Sequence, residues 1–313
     1  MIRIFKTEEG MTRQKDEAES GCWIALTDPT ATEILEVAER YDIDPDHLRA
    51  PLDEEERSRI ETEETYSLVL VDIPVLEERN AKDWYVTIPL GIIMAESIII
   101  TVCLEDTAIL TAFMDGRVRD FHTYMKTRFV LQVLYKNTSQ FLQYLRIIDK
   151  KSDVLQMQLH KSPKNQELIE LLELEKSLVY FTTSLRSNEA VLEKLLRTEK
   201  IKKYPEDTEL LEDVIIENKQ AIEMANIYSG ILSGTMDAFS SVISNNLNIV
   251  MKFLTTVTIV MSIPTMIASF YGMNVNPAGM PFATHLWGFW IVLALTAVLS
   301  FVVTVIFLKK DLF

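Results

Sequence analysis

Two apolar runs near the C-terminal end, Phe253 to Tyr271 and Leu286 to Leu308, restrict the fold more than any other feature of this chain. Each approaches the ~20 residues that cover about 30 Å of hydrocarbon. From Ile249 to Leu308, Lys252 is the only Lys or Arg and there is no Asp or Glu. Both runs are read as transmembrane helices. Lys252 precedes the first, Lys309 and Lys310 follow the second, and the connecting loop has no Lys or Arg. The positive-inside rule then puts both termini in the cytoplasm, as expected of a multi-pass protein of the plasma membrane.

The rest of the chain has the opposite character. A hydrophobic fraction of 48% can coexist with a net charge of -15 because the apolar residues gather at one end and the acids at the other. The transition falls near Asn248. Residues 1–120 alternate β-branched runs ("CWIAL", "YSLVLVDIP", "WYVTIPLGIIM", "SIIITVC") with helical pieces such as "TATEILEVAERY", which predicts a cytoplasmic domain of α/β or α+β class with a mixed sheet. Residues 121–204 read as two long antiparallel helices, starting near Phe121 and joined at Pro163. Residues 205–252 form a stalk helix, 253–271 the first span, 272–285 an external loop, 286–308 the second span and 309–313 a basic cytoplasmic tail. Cys22 and Cys103 sit in strand-like apolar surroundings and are expected as buried thiols. No phosphate-binding glycine loop or HExxH occurs, and His47, His122, His160 and His285 are scattered, so no enzyme is expected. Nor is a nucleic-acid partner.

After Pro205 no proline interrupts the chain until Pro264, so one helix can run about 100 Å from the soluble domain into the first span. Along it Asp237, Ser241, Ser244, Asn248, Met251, Thr255, Thr258, Ser262, Thr265 and Ser269 follow one another at alternating steps of four and three. This is a single heptad-like stripe, and every hydroxyl residue of the span except Thr256 lies on it. Polar side chains are costly in lipid, so the stripe faces either another helix, where small residues pack closely, or water. Its continuation beyond the span to Asn248 and Asp237 suits a polar path. Two spans cannot enclose a pore alone, but several copies of the first helix around an axis can, and a 3.5-residue repeat favours a left-handed bundle. Pro264 leaves the Val260 carbonyl without its helical partner, a defect better tolerated beside water or other helices than facing lipid.

The segment "YGMN" closing the first span, a short loop, a final span and a terminal "LKKDLF", with "SSVISNNLNIVMKFLT" leading in, resemble the CorA family of divalent-cation transporters. The resemblance covers at least residues 205–313, and the preceding α/β and helical parts agree with it. It implies a homopentameric funnel in membrane lipid, with the first span lining the pore, the second outside it, and a cytoplasmic domain that senses Mg²⁺. Gly272, Met273 and Asn274 then form the selectivity filter. Mg²⁺ releases its waters reluctantly, and the Asn274 amide can hold the hydrated ion through outer-shell hydrogen bonds without the deep trap of a carboxylate ring. Asn is also a common helix C-cap. Gly272 lets the backbone turn or pack closely there, while Tyr271 and Met273 hold the helix end and loop.

Carried over by the resemblance, Asn248, Met251, Leu254, Thr258, Ser262 and Thr265 face the pore, with Thr255 and Ser269 on the same stripe. Met251 and Leu254 form a constriction that gates by dewetting. Asp237 lies at the inner mouth, and Lys252, Lys309 and Lys310 form a basic belt that equally suits interfacial anchoring. Asp213 matches an acid of a regulatory Mg²⁺ site between subunits. Where relatives carry a second acid one turn later this chain has Ile216, with Glu217 next, which leaves open whether the site uses Glu217, has moved or is missing. Asp72, Glu77 and Glu78 are candidate partners, or simply solvated surface acids. Phe282 follows Met280-Pro281 where relatives often place an acid, so the loop attracts cations weakly. The expected function is passive, channel-like Mg²⁺ uptake driven by the membrane potential and gated by internal Mg²⁺. The alternatives are Co²⁺, Ni²⁺ or Zn²⁺ transport, or a membrane-anchored helical scaffold or signalling protein whose spans only pack.

Overall fold

The computed structural model describes residues 1–79, 82–161, 165–198 and 204–310. These residues form strands β1 (Ile2–Glu8), β2 (Met11–Lys15), β3 (Trp23–Thr27), β4 (Arg59–Thr62), β5 (Tyr66–Arg79), β6 (Lys82–Ala95) and β7 (Ile99–Cys103). They pair in the order β2-β1-β3-β7-β6-β5-β4. Only β3 and β7 run parallel; the other neighbours are antiparallel, so the sheet is mixed. The helices are α1 (Ala31–Tyr41), α2 (Pro45–Arg49), α3 (Ala108–Met114), α4 (Lys126–Lys161), α5 (Asn165–Leu196), α6 (Pro205–Tyr271) and α7 (Gly288–Lys309).

The four apolar runs fall on β3, β5, β6 and β7, and their period of two divides them between two cores. On one side Val69, Val71, Ile73, Ile99 and Cys103 pack with Phe129, Leu192, Leu211 and Val214 of α4, α5 and α6. On the other, Leu68, Ile93, Ile100 and Val102 pack with Ile34, Val37 and Leu48 of α1 and α2. Trp23 is fully buried in the first core, its ring 5.1 Å from Phe129 and its indole N–H donating to Thr101 Oγ1 at 2.9 Å. Cys22 and Cys103 are free and buried, and burial pushes the Cys103 thiol up to about 11. A capping box starts α1, with Thr30 and Glu33 bonded reciprocally. At Gly91 a Cβ would come within 2.2 Å of the Pro51 ring, so glycine is required where β6 meets that loop.

Several boundaries differ from expectation. Helix α4 begins at Lys126 rather than near Phe121. Thr7 and Thr123 each donate a backbone N–H to the other's hydroxyl at 3.1 Å, which fixes the chain before the helix in a non-helical path. Pro163 lies outside the described residues. Helix α7 begins at Gly288, two residues after the expected Leu286. The chain separates into two compact units, Met1–Met236 and Asp237–Phe313, so the division precedes Asn248. The whole polar stripe therefore belongs to the second unit.

Asp72 is not a freely solvated acid: its side chain is partly buried, and that burial raises its pKa. Strand β4 ends at Arg59 opposite Leu70, leaving Asp72 beyond the last strand partner on that edge. Asparagines from two helices take over. Asn188 Oδ1 accepts the Asp72 N–H at 2.9 Å, and the side-chain amides of Asn188 and Asn137 donate to the Asp72 carbonyl at 2.8 and 2.9 Å. Asn188→Leu is expected to lower unfolding stability by about 1–3 kcal/mol, because the Asp72 N–H loses its acceptor and the Asp72 carbonyl keeps only Asn137 as a donor. Denaturant unfolding of the full chain checks this, and an unshifted midpoint contradicts it.

Candidate functional site

In α6 the predicted stripe is physically exposed. Asp237, Ser241, Ser244, Asn248, Met251, Leu254, Thr255, Thr258, Ser262, Thr265 and Ser269 all lie at the surface of the second unit, whereas Thr256, the hydroxyl residue off the stripe, is only 4% exposed. Thr258, Ser262, Thr265 and Ser269 line a shallow open groove with Val257, Met261 and Met266. Three of the hydroxyls are already committed as donors. Thr258 Oγ1 donates to the Leu254 carbonyl at 2.8 Å, Ser262 Oγ to Ile259 at 2.7 Å and Thr265 Oγ1 to Met261 at 3.1 Å. The helix satisfies the hydrogens, and what remains outward is acceptor oxygen.

The end of α6 has a specific geometry. Gly272 N–H bonds back to the Ala268 and Ser269 carbonyls at 3.0 and 3.2 Å, and Met273 N–H to Phe270 at 3.4 Å. Val275 N–H then reaches the Met273 carbonyl at 2.9 Å, which makes Asn274 the central residue of a three-residue turn. Asn274 is not among the positive-φ residues, so the turn is of the inverse γ type and not a left-handed helix cap. Its carboxamide is exposed and has no hydrogen-bond partner among the described residues. Gly272 does not have positive φ either, and a Cβ there would stand an ordinary 3.4 Å from the Ala268 carbonyl. The turn itself does not need that glycine; of the two expected roles only close packing remains to explain it.

The loop beyond is tied to the helix end. Tyr271 Oη donates to the Pro281 carbonyl at 2.7 Å, and Asn276 Oδ1 accepts Ala278 N–H at 3.1 Å. Phe282 has φ 61°, and its carbonyl lies so close to Gly288 that a Cβ there would come within 2.0 Å. Gly288 is thus a fixed point of the loop that sequence reading overlooked.

Lys252 is exposed, Lys309 is the last residue of α7, and Lys310 N–H caps that helix by bonding to the Ile306 carbonyl at 3.2 Å. None of these lysines has a carboxylate partner among the described residues. In the first unit Asp213 is exposed and Glu217 partly buried. Tyr135 of α4 lies beside both, and the Glu217 carboxylate, with Asp213 adding to it, pushes the phenol's pKa up. Sequence reading missed Tyr135 because it lies far from α6 in the chain.

A mixed α/β unit followed by two helices long and apolar enough to cross a bilayer, with only 6% of each apolar window buried, defines a two-span membrane protein. One of those spans carries an exposed row of hydroxyl residues, three of which turn acceptor oxygen outward. The CorA-like Mg²⁺ transporter family model matches residues 18–310, and the chain belongs to that family. The cobalt/magnesium transport protein CorA of Methanocaldococcus jannaschii is 29% identical over 297 residues, covering 92% of this chain and 90% of that protein. The protein of the same name from Thermotoga maritima is 24% identical, with coverage of 99% and 88%. The complete structure of the CorA magnesium transporter from M. jannaschii superposes with a TM-score of 0.83 at 25% identity, over 98% of this chain and 97% of that one. The chain is a divalent-cation transporter of the membrane.

Proposed function

We propose that this transporter is a channel for hydrated Mg²⁺, formed by a pentamer whose copies of α6 line the axis. Both termini face the cytoplasm. Gly272, Met273 and Asn274 form its outer filter. Asn248, Met251, Leu254, Thr255, Thr258, Ser262, Thr265 and Ser269 line the path below, with Met251 and Leu254 as the apolar constriction. Asp237 stands at the inner mouth, and Lys252, Lys309 and Lys310 form the basic belt. The observation that carries the reading is the row of outward acceptors leading to an amide with no partner among the described residues. Acceptors suit the hydrogens of a cation's first water shell and do not strip them.

The driving force is the membrane potential, about 2.3 kcal/mol per charge per 100 mV and so twice that for a dication. Asp213, with Glu217 and Tyr135 beside it, contributes to a regulatory Mg²⁺ site between subunits. Flux into proteoliposomes under an imposed potential tests the reading: Mg²⁺ enters and the flux follows the potential. Flux of Co²⁺ or Zn²⁺ with none of Mg²⁺ overturns the assigned ion, and no flux of any dication overturns the channel.

Placement of the stripe has its own test. Cysteines at Thr258, Ser262 and Thr265 are expected to react with small water-soluble thiol reagents and block transport, while those at Ile259 and Ile263 react at least about tenfold more slowly because the reagent requires water. Equal or inverted labelling would mean that the stripe packs against protein.

A further inference from the structure

Outside the transport path, one cluster in the first unit has the composition of a transition-metal site. His47 of α2, Glu61 of β4 and Glu63 in the following turn each place one ligand atom within 4.8 Å of the others. Glu61 Oε2 stands 3.0 Å from His47 Nε2, and the Tyr66 hydroxyl stands 2.6 Å from His47 Nδ1. That hydroxyl also accepts the Asp44 N–H at 3.2 Å. Arg59 Nε donates to Glu61 Oε1, which leaves Oε2 for the imidazole. Glu63 is held through its backbone, whose N–H donates to the Tyr66 carbonyl at 2.9 Å.

We propose that His47, Glu61 and Glu63 bind one borderline divalent transition ion of the Zn²⁺, Co²⁺ or Ni²⁺ class. The imidazole decides against Mg²⁺, which prefers an octahedron of oxygens and keeps its waters. Metal–ligand bonds of 2.0–2.2 Å in a tetrahedron set the ligands about 3.4 Å apart. The His47–Glu61 pair is already close to that separation. Glu63 is exposed and can close the remainder by a side-chain rotation, and water completes the fourth position.

Each ligand has an outer support of the kind that orients metal sites. The Tyr66 phenol holds the imidazole, the Arg59 guanidinium holds Glu61, and the turn holds Glu63. In the bound form His47 is the neutral tautomer with Nδ1–H donating to Tyr66, and Nε2 offers the metal its lone pair. The ion takes the place of the hydrogen that links Nε2 to Glu61. Because β4 is an edge strand of the sheet, a bound ion clamps α2 to that edge. The site stands whether or not the chain conducts Mg²⁺.

The test uses the full-length, tag-free protein in detergent, held in saturating Mg²⁺ so that sites accepting that ion are filled. Zn²⁺ is titrated calorimetrically, and X-ray absorption at the zinc edge reports the ligands. One Zn²⁺ per chain with an imidazole ligand is expected. His47→Gln and Glu63→Gln should each weaken binding at least about tenfold. Wild-type affinity in both His47→Gln and Glu63→Gln, or no imidazole at the zinc edge, overturns the proposal. If His47→Gln unfolds, exposed Glu63→Gln decides alone: weakened binding supports the site and unchanged binding refutes it.

Discussion

Alanine at Asn274 abolishes selective Mg²⁺ uptake in proteoliposomes and leaves the oligomer assembled: this is the largest effect expected of any single substitution. The amide is exposed at the apex of its turn, is not spent on a bond within the described chain and is not required as a left-handed cap. Its removal therefore costs the fold little. If each outer-shell hydrogen bond contributes about 1 kcal/mol, a pentameric ring loses about 5 kcal/mol, more than about a thousandfold in selective occupancy. Asn274→Asp separates acceptor strength from acceptor presence, since a carboxylate ring should hold Mg²⁺ more tightly and pass it more slowly. Normal flux in Asn274→Ala, with the oligomer intact by size-exclusion chromatography, would remove Asn274 from the filter.

Asp213→Lys is expected to move the Mg²⁺ dependence of gating and not permeation itself. In the proposed pentamer, with -15 per chain, acidic domains around one axis would repel, and divalent ions held between them would favour a closed, symmetric arrangement. An ammonium at the exposed Asp213 position either substitutes for the ion or destroys sensing. Limited proteolysis across a millimolar-range Mg²⁺ titration distinguishes these outcomes. Protection independent of Mg²⁺ means substitution, loss of protection means lost sensing, and a curve superimposable on wild type means that Asp213 is a solvated acid. Tyr135→Phe provides a finer comparison, because it removes the hydroxyl next to Glu217 without altering charge.

The parts legible in the sequence were those governed by local pattern. The continuous helix α6 could be read directly from the long proline-free run after Pro205, as could the apolar strands β3, β5, β6 and β7. Strands β1, β2 and β4 were less legible because they carry Arg3, Lys6, Arg13, Lys15, Arg59 and Glu61, and β2 and β4 are edges, where charge is favoured. The tying of the Asp72 backbone to two helices was hidden for another reason. It depends on Asn188, 116 residues away, replacing a missing strand. Likewise the need for Gly288 follows only from where the Phe282 carbonyl lies, and the α4 start from a Thr7–Thr123 pair also separated by 116 residues.

The back-bonded hydroxyls also bear on how water meets this face. Water held against Thr258, Ser262 and Thr265 can only donate to them, because their own hydrogens are engaged by the Leu254, Ile259 and Met261 carbonyls. Each such water spends one of its two hydrogens on the wall. If this face lines the proposed channel, its wall takes hydrogen bonds from the water shell of a passing dication and has no free hydroxyl hydrogen at these three positions to pass along the path.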